Sequence, residues 1–88
     1  MKFPNLNKNQ YVVIKAELAT GIVLNNDGTR YNNTENEIYA LDIFNDYSIA
    51  KEFAILKVLN NPEIECCIND FKKKVIFCYD KNGERILK

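Results

Sequence analysis

Apolar and polar residues alternate along most of the chain, except in one long segment near its middle. A period of two places successive side chains on opposite faces of a strand, so the alternation predicts β-structure before and after that segment. Clusters of Gly, Asn and Asp separate the alternating stretches, as turns do. The predicted extended segments are residues 10–19, 22–24, 29–31, 37–44, 63–69, 74–79 and 84–87.

Turns and loops are predicted from residue types. Residues 25–28 and 80–83 consist mainly of Asn, Asp and Gly, which tolerate a positive φ. Thr20 and Gly21 interrupt the first strand and fit either a β-bulge or a tight turn, and this choice decides the number of strands. Residues 1–9 predict an irregular lead-in, and residues 32–36 predict a polar loop.

The middle segment predicts one α-helix over residues 45–59. Asn45 is a suitable N-cap, and Pro62 lies just beyond the end because proline cannot continue a helix. The helical spacing predicts a buried stripe of Ala50, Phe53, Ala54 and Val58. Ile55 and Leu59 lie well round the helix from that stripe. Either loop or amino-terminal residues cover them, or they contact a partner or a second subunit.

Together these elements predict a single α+β domain over residues 1–88. The expected plan is a meander, a helix and a hairpin: an antiparallel-dominated sheet of about five or six strands with one helix on one face. The links on either side of the helix are short, so the two flanking strands are expected to run parallel to each other with a right-handed crossover. The order of the strands does not follow from the sequence.

Alternation also assigns the strand residues to an inner face beneath the helix and an outer face away from it. The predicted inner face comprises Val12, Ile14, Leu18, Tyr39, Leu41, Ile43, Ile64, Cys66, Ile68, Val75, Phe77 and Tyr79. The apolar residues proposed for an interface are Tyr11, Val13, Ile38, Ile76 and Cys78 on the outer face, with Ile55 and Leu59 on the helix. Such residues are either scattered on a wet sheet face or form an interface with a partner or a second copy.

The formal net charge is zero, which argues against strong binding to nucleic acid or to an anionic membrane. Acidic residues are nevertheless concentrated in residues 27–52, which carry six acids against Arg30 and Lys51. Complementary charge speeds encounters between proteins, so a basic partner is expected at this acidic surface. The predicted contact residues are Asp27, Glu35, Glu37 and Asp42.

The residue types for catalysis are sparse, and the chain is not expected to be an enzyme or to hold a metal or cofactor. There is no histidine, the commonest general base. Adjacent Cys66 and Cys67 lack the spacing of paired metal ligands. If Ile68 pairs with Val75, Cys67 and Cys78 lie diagonally, so reduced thiols are expected. Reduced thiols and an amino terminus without a long apolar run predict a cytoplasmic protein.

A short, neutral α+β chain with one acid-rich region and no active site is similar in type to small bacterial immunity proteins that neutralise a toxin. The resemblance covers the whole plan but rests on no diagnostic motif, and it assigns no residue a role. It implies a small protein-binding domain whose partner is a toxin. The alternative is a self-associating structural or regulatory domain, a homodimer that uses the outer sheet face or the back of the helix.

Overall fold

A computed structural model describes residues 4–32 and 40–87. Within these residues the elements are β1 (Tyr11–Glu17), β2 (Leu41–Phe44), α1 (Tyr47–Asn60), β3 (Ile64–Asn69), β4 (Val75–Asp80) and β5 (Gly83–Glu84). The five strands form one antiparallel sheet in the order β2-β1-β3-β4-β5, and α1 packs on it, mainly against β3 and β4. The predicted α+β class with one helix on one face is confirmed.

The first strand lies in the interior of the sheet. β1 pairs antiparallel with β2 on one side and with β3 on the other, so β2 and β3 run parallel to each other. This is the relation predicted for two strands joined through a helix by short links. β3 and β4 form the hairpin that follows α1, and β5 is a short extension at the far edge.

Thr20 and Gly21 form a tight turn rather than a bulge. The Gly21 amide donates to the Glu17 carbonyl oxygen at 2.8 Å, and Gly21 has a φ of 74°. The first strand therefore ends at Glu17, two residues earlier than predicted. Val23 then bridges back to Ala16, which keeps the chain beside β1.

Asp46 caps the amino terminus of α1, and the prediction of Asn45 for this role is wrong. The Asp46 carboxylate accepts from the Ile49 amide at 3.1 Å. The Asn45 side-chain oxygen instead accepts from the Gln10 amide group at 3.1 Å. At the other end, the Asn61 amide donates to the Lys57 and Val58 carbonyl oxygens, and α1 stops there.

The core lies between α1 and the sheet. Ala50, Ala54 and Val58 are buried as predicted, and the two alanines are fully enclosed, which allows a close approach of helix to sheet. Phe53 is half-buried, and its ring contacts that of Phe44 with centroids 5.0 Å apart. The buried residues that form this cluster are Val13, Leu24, Ala50, Ala54, Val58, Ile64, Cys66, Ile68 and Phe77.

The predicted faces of β1 and β2 are reversed. Val13 belongs to the core beneath α1 and Tyr11 packs against that core, so Val12 and Ile14 point away from the helix. Phe44 likewise contacts the helix, which places Ile43 on the far face. The prediction failed because both alternating sets of β1 contain apolar residues, and because Lys15, taken as a mark of the wet face, is buried.

The far face of the sheet is less exposed than predicted. Val12, Ala16, Leu41 and Cys78 are all buried there. Ile43 and Val75 remain 46% and 42% exposed. The far face is therefore not the continuous exposed apolar surface that a single covering helix was expected to leave.

The predicted pairing of Ile68 with Val75 is also wrong. Ile68 lies opposite Phe77, and a shift in register between Ile68 and Asn69 places Asn69 opposite Val75. One extra residue on one strand produces such a shift. The alternation of β4 was read correctly for Phe77 and Tyr79, but the register depends on an irregularity that alternation does not reveal.

Candidate functional site

The outward side of α1 carries an exposed apolar surface. Ile49, Leu56 and Leu59 are 56%, 49% and 65% exposed, and the exposed residue Glu52 lies among them. At about 100° per residue, these four positions fall within an arc of about 80°, roughly opposite Ala50, Ala54 and Val58. We call Ile49, Glu52, Leu56 and Leu59 the helix ridge.

The rotation of α1 that exposes the helix ridge is fixed by packing on its other side. Tyr47 at the start of the helix contacts Tyr11 of β1, with ring centroids 5.5 Å apart. Phe53 contacts Phe44 on one flank, and Ile55 packs against the core. The ridge is therefore held in place on a rigid element, which reduces the entropy cost of binding.

Glu52 is the only charged residue on the helix ridge. The two lysines of α1 are directed to other contacts: the Lys51 Nζ lies 5.1 Å from the centroid of the Phe77 ring, and the Lys57 Nζ lies 5.3 Å from that of Phe53. Among residues 4–32 and 40–87, no cation pairs with Glu52. The ridge thus presents three apolar side chains and one carboxylate.

The predicted acidic surface is only partly described. Glu35 and Glu37 lie outside the described residues. Asp27 is exposed on the turn of residues 25–28. Its carboxylate accepts from the Thr29 amide at 3.0 Å and from the Thr29 hydroxyl at 2.6 Å. Both hydrogen bonds lower the pKa of the Asp27 carboxyl, and the one from the hydroxyl has the larger effect.

Asp42 is engaged inside the protein. Its carboxylate forms an ion pair with Lys15, whose side chain is only 6% exposed. The Lys15 Nζ also donates to the Asn26 side-chain oxygen at 2.7 Å. This contact brings the turn that carries Asp27 towards Asp42, but it neutralises Asp42 as a binding charge. A lysine between apolar neighbours was the only sequence signal for this buried pair.

The residues predicted for an apolar interface have different positions. Val13 is buried in the core, and Tyr11, Ile55 and Ile76 pack against that core. Cys78 is buried on the far face, and Ile38 lies outside the described residues. Of the six that the structure describes, only Leu59 is exposed. Ile49 and Leu56 were not among the residues predicted for an interface, although their spacing from Leu59 marks one side of a helix.

Two shallow clefts lie near the carboxyl end of α1. The larger, of about 600 Å³, is bordered by Glu17 and Arg30, which form an ion pair at 3.0 Å, and by Glu63 and Lys81. The smaller, of about 280 Å³, is bordered by Lys15 and Lys57 together with asparagine and aspartate side chains. In the larger cleft the Thr20 hydroxyl donates to the Glu17 carboxylate at 2.7 Å. The hydrogen bonds from Thr20 and Arg30 lower the pKa of the Glu17 carboxyl, which makes it a weaker base. Within the described residues, no group of three or more possible metal ligands comes together.

The three cysteines lie in two different environments. Cys67 and Cys78 are directly opposite each other on β3 and β4, and a disulfide joins them across a Cα–Cα distance of 4.1 Å. The prediction of reduced thiols at these positions is wrong, because the register differs from the one assumed. Cys66 is a free thiol on the helix side, and burial raises its pKa to about 11.

Comparisons with protein families, curated proteins and solved structures found no match for this chain. In the part of the chain that the structure describes, α1 falls short of the length and apolar character that a membrane-crossing helix requires. The function is therefore argued from the arrangement of residues alone, and above all from the helix ridge.

Proposed function

We propose that the chain is a non-catalytic protein-binding domain whose helix ridge docks into an apolar groove of a different protein. The observation that carries the proposal is the exposure of Ile49, Leu56 and Leu59 along one side of a helix whose opposite side is buried. Full burial of one such side chain contributes about 1.5–3 kcal/mol. Burying the exposed fractions of all three would contribute about 3–5 kcal/mol, which is a useful part of a binding free energy.

The position of Glu52 defines the chemistry of the partner. A groove that covers Leu56 and Leu59 also removes water from Glu52, and burying an unpaired carboxylate is costly. The partner must therefore place a lysine or arginine opposite Glu52, within an otherwise apolar groove. This agrees with the prediction of a basic partner, but the acid that meets it is Glu52 rather than Asp42.

The same residue argues against a second copy as the occupant. Two helices packed antiparallel through their ridges, with a two-fold axis at the height of residue 54, would place Ile49 of one copy against Leu59 of the other. They would also bring both Glu52 carboxylates onto one shared apolar surface, without a cation from either ridge. Like charges on a desolvated surface are unfavourable, so a heterologous partner is the better fit.

Three features support a role without catalysis. The sequence contains no histidine, and Cys67 and Cys78 are joined to each other. The Cys66 thiol has its pKa raised to about 11 by burial, so little of it is the nucleophilic thiolate near neutral pH. An immunity protein that neutralises a toxin would be one domain of this kind, and that narrower identity stays a prediction.

The proposal is tested with a photo-crosslinking side chain at position 56 of the full-length chain, expressed in its source cells. The matched control carries the same group at Ile86, which is 86% exposed and is not part of the helix ridge. We expect a crosslink to one other protein from position 56 only. Mass spectrometry of the crosslinked peptide should then locate a lysine or arginine beside the attachment point.

Substitutions on the ridge provide the quantitative part of the test. With the purified partner, Leu59→Glu should weaken binding at least tenfold and Glu52→Lys about as much, whereas Ile86→Lys should leave the affinity unchanged. Exposed substitutions of this kind rarely change stability by more than about 0.5 kcal/mol, so the variants should remain folded. Equal affinities for all variants would reject the proposal. A dimer in light scattering that Leu59→Glu dissociates would replace it with self-association.

A further inference from the structure

The disulfide between Cys67 and Cys78 lies on the far face of the sheet, away from the helix ridge. The register places Cys67 opposite Cys78 and Ile14 opposite Cys67, so the pair belongs to a row of side chains that crosses β1, β3 and β4. A one-residue change in register would separate the two sulfurs. Their alignment is thus a property of the hairpin as it folds and requires no rearrangement.

The third cysteine is excluded from this pair. Cys66 precedes Cys67 on the same strand and therefore points to the opposite face, where it is fully buried beneath α1. It lies opposite Tyr79 and not opposite a cysteine. The same burial that removes it from solvent also disfavours its thiolate, which is the form that attacks a disulfide.

The two joined cysteine residues differ in exposure. Cys67 is partly exposed, whereas Cys78 is only 3% exposed. The rate of thiol–disulfide exchange depends on which sulfur an incoming reagent can reach. This difference makes Cys67 the point of entry for a reagent from solution and leaves Cys78 as the internal partner.

We propose that Cys67 and Cys78 form a thiol–disulfide exchange site for a small-molecule thiol–disulfide couple, with Cys67 as the attacked sulfur and Cys78 as the resolving cysteine. In the opening direction, an external thiolate bonds to the Cys67 sulfur, the bond between the two cysteines breaks, and Cys78 leaves with the electron pair and takes a proton. A second external thiolate attacks the external sulfur of this mixed disulfide. The external disulfide leaves, and the Cys67 thiolate is released and takes a proton.

The closing direction is the reverse and is also balanced. The Cys67 thiolate attacks a small-molecule disulfide and releases one thiolate, and Cys78 then attacks the Cys67 sulfur and releases the second. Two electrons pass from the cysteine pair to the external disulfide. The predicted cytoplasmic location rested partly on reduced thiols, and the joined pair removes that support.

The test uses the full chain and the reduced and oxidised forms of glutathione as the probe. Cys66→Ala is made first, so that only the pair remains, and Cys78→Ser or Cys67→Ser is then added to isolate each sulfur. Under native conditions with oxidised glutathione, intact-mass spectrometry follows the mixed disulfide. We expect the chain with Cys67 alone to form it at least tenfold faster than the chain with Cys78 alone.

Two further measurements keep the test independent of how well these variants fold. In urea both thiols are exposed, so the two rates should converge to within about twofold. In the reduced wild-type chain, a short pulse of an alkylating agent should label Cys67 before Cys78 and Cys66. With both cysteines present, oxidised glutathione should produce a transient adduct and then the closed pair.

Several results would overturn the proposal. Faster reaction or labelling at Cys78 would reverse the assigned roles. A pair that stays reduced, or stops at the mixed disulfide, in excess oxidised glutathione would show that the two sulfurs do not resolve each other. A disulfide from Cys78 to Cys66 rather than to Cys67 in the wild-type chain, located by fragmentation between these two adjacent residues, would contradict the separation of the two faces.

Discussion

Removing one partner of the ion pair between Lys15 and Asp42 is expected to cost more stability than replacing both residues. Removing one partner of a buried pair costs about 3–5 kcal/mol, because the other charge stays in the interior without compensation. In Asp42→Leu, Lys15 keeps the Asn26 oxygen as an acceptor, and the Asp42 site is 23% exposed, so water reaches part of it. We therefore expect a loss of about 2–3 kcal/mol in the free energy of unfolding.

The other variants complete a double-mutant cycle. Lys15→Met leaves the partly exposed Asp42 carboxylate and should cost about 1–2 kcal/mol. Replacing both residues by apolar ones of similar volume should come within about 1 kcal/mol of the wild-type stability, because well-packed apolar residues often replace a buried pair without loss. The coupling free energy between the two positions should then be about 2 kcal/mol or more.

Urea unfolding followed by circular dichroism measures these differences. A small domain has a urea dependence of about 1 kcal/mol per M, so Asp42→Leu should lower the midpoint by about 2 M with an unchanged slope. A fall in the midpoint of less than about 0.5 M in Asp42→Leu would show that the unpaired Lys15 charge is not costly in the interior. A double variant as unstable as Asp42→Leu alone would show that replacing both residues does not relieve that cost.

Three further predictions concern the helix and the buried thiol. Ala54→Leu should lower the free energy of unfolding by about 1–3 kcal/mol, because the larger side chain overpacks the contact between helix and sheet. Ser48→Leu on the exposed side should change it by no more than about 0.5 kcal/mol. Urea unfolding measures both, and equal effects would contradict this packing. Asp46→Ala should cost about 1 kcal/mol and Asn45→Ala less than half of that, and the reverse order would restore Asn45 as the cap. Burial raises the pKa of Cys66 from 9.0 to about 11. As the pH rises, this thiol therefore ionises first in the unfolded chain. The free energy of unfolding should fall between about pH 9 and about pH 11. Cys66→Ala should remove that part of the fall, and an unchanged pH profile in this variant would reject the cause.

The sequence predicted the elements well because they depend on local properties. Alternation located β3 and β4, and turn residues located the loops around Gly28 and Gly83, which both have a positive φ. Pro62 and the apolar spacing located α1 to within about two residues. These signals need only neighbours along the chain.

The misassigned face of β1 and the missed disulfide both depend on residues far apart in the sequence. The face of β1 was misassigned because Lys15 is compensated by Asp42, and no local pattern reveals that pairing. The disulfide was missed because a register shift beside Asn69 aligns Cys67 with Cys78. The helix ridge, in contrast, follows from local spacing, because Ile49, Leu56 and Leu59 share the side of the helix opposite Ala50, Ala54 and Val58.

The interior position of β1 also orders events during synthesis. Val13 pairs with Asp42 on one side and with Ile68 on the other, so β1 has no complete set of neighbours until β3 has left the ribosome. Until then at least one of its edges is open to other chains, which is the condition that favours aggregation. The hairpin of β3 and β4 closes locally and is expected to form early, and β1 then inserts beside it as the slow step.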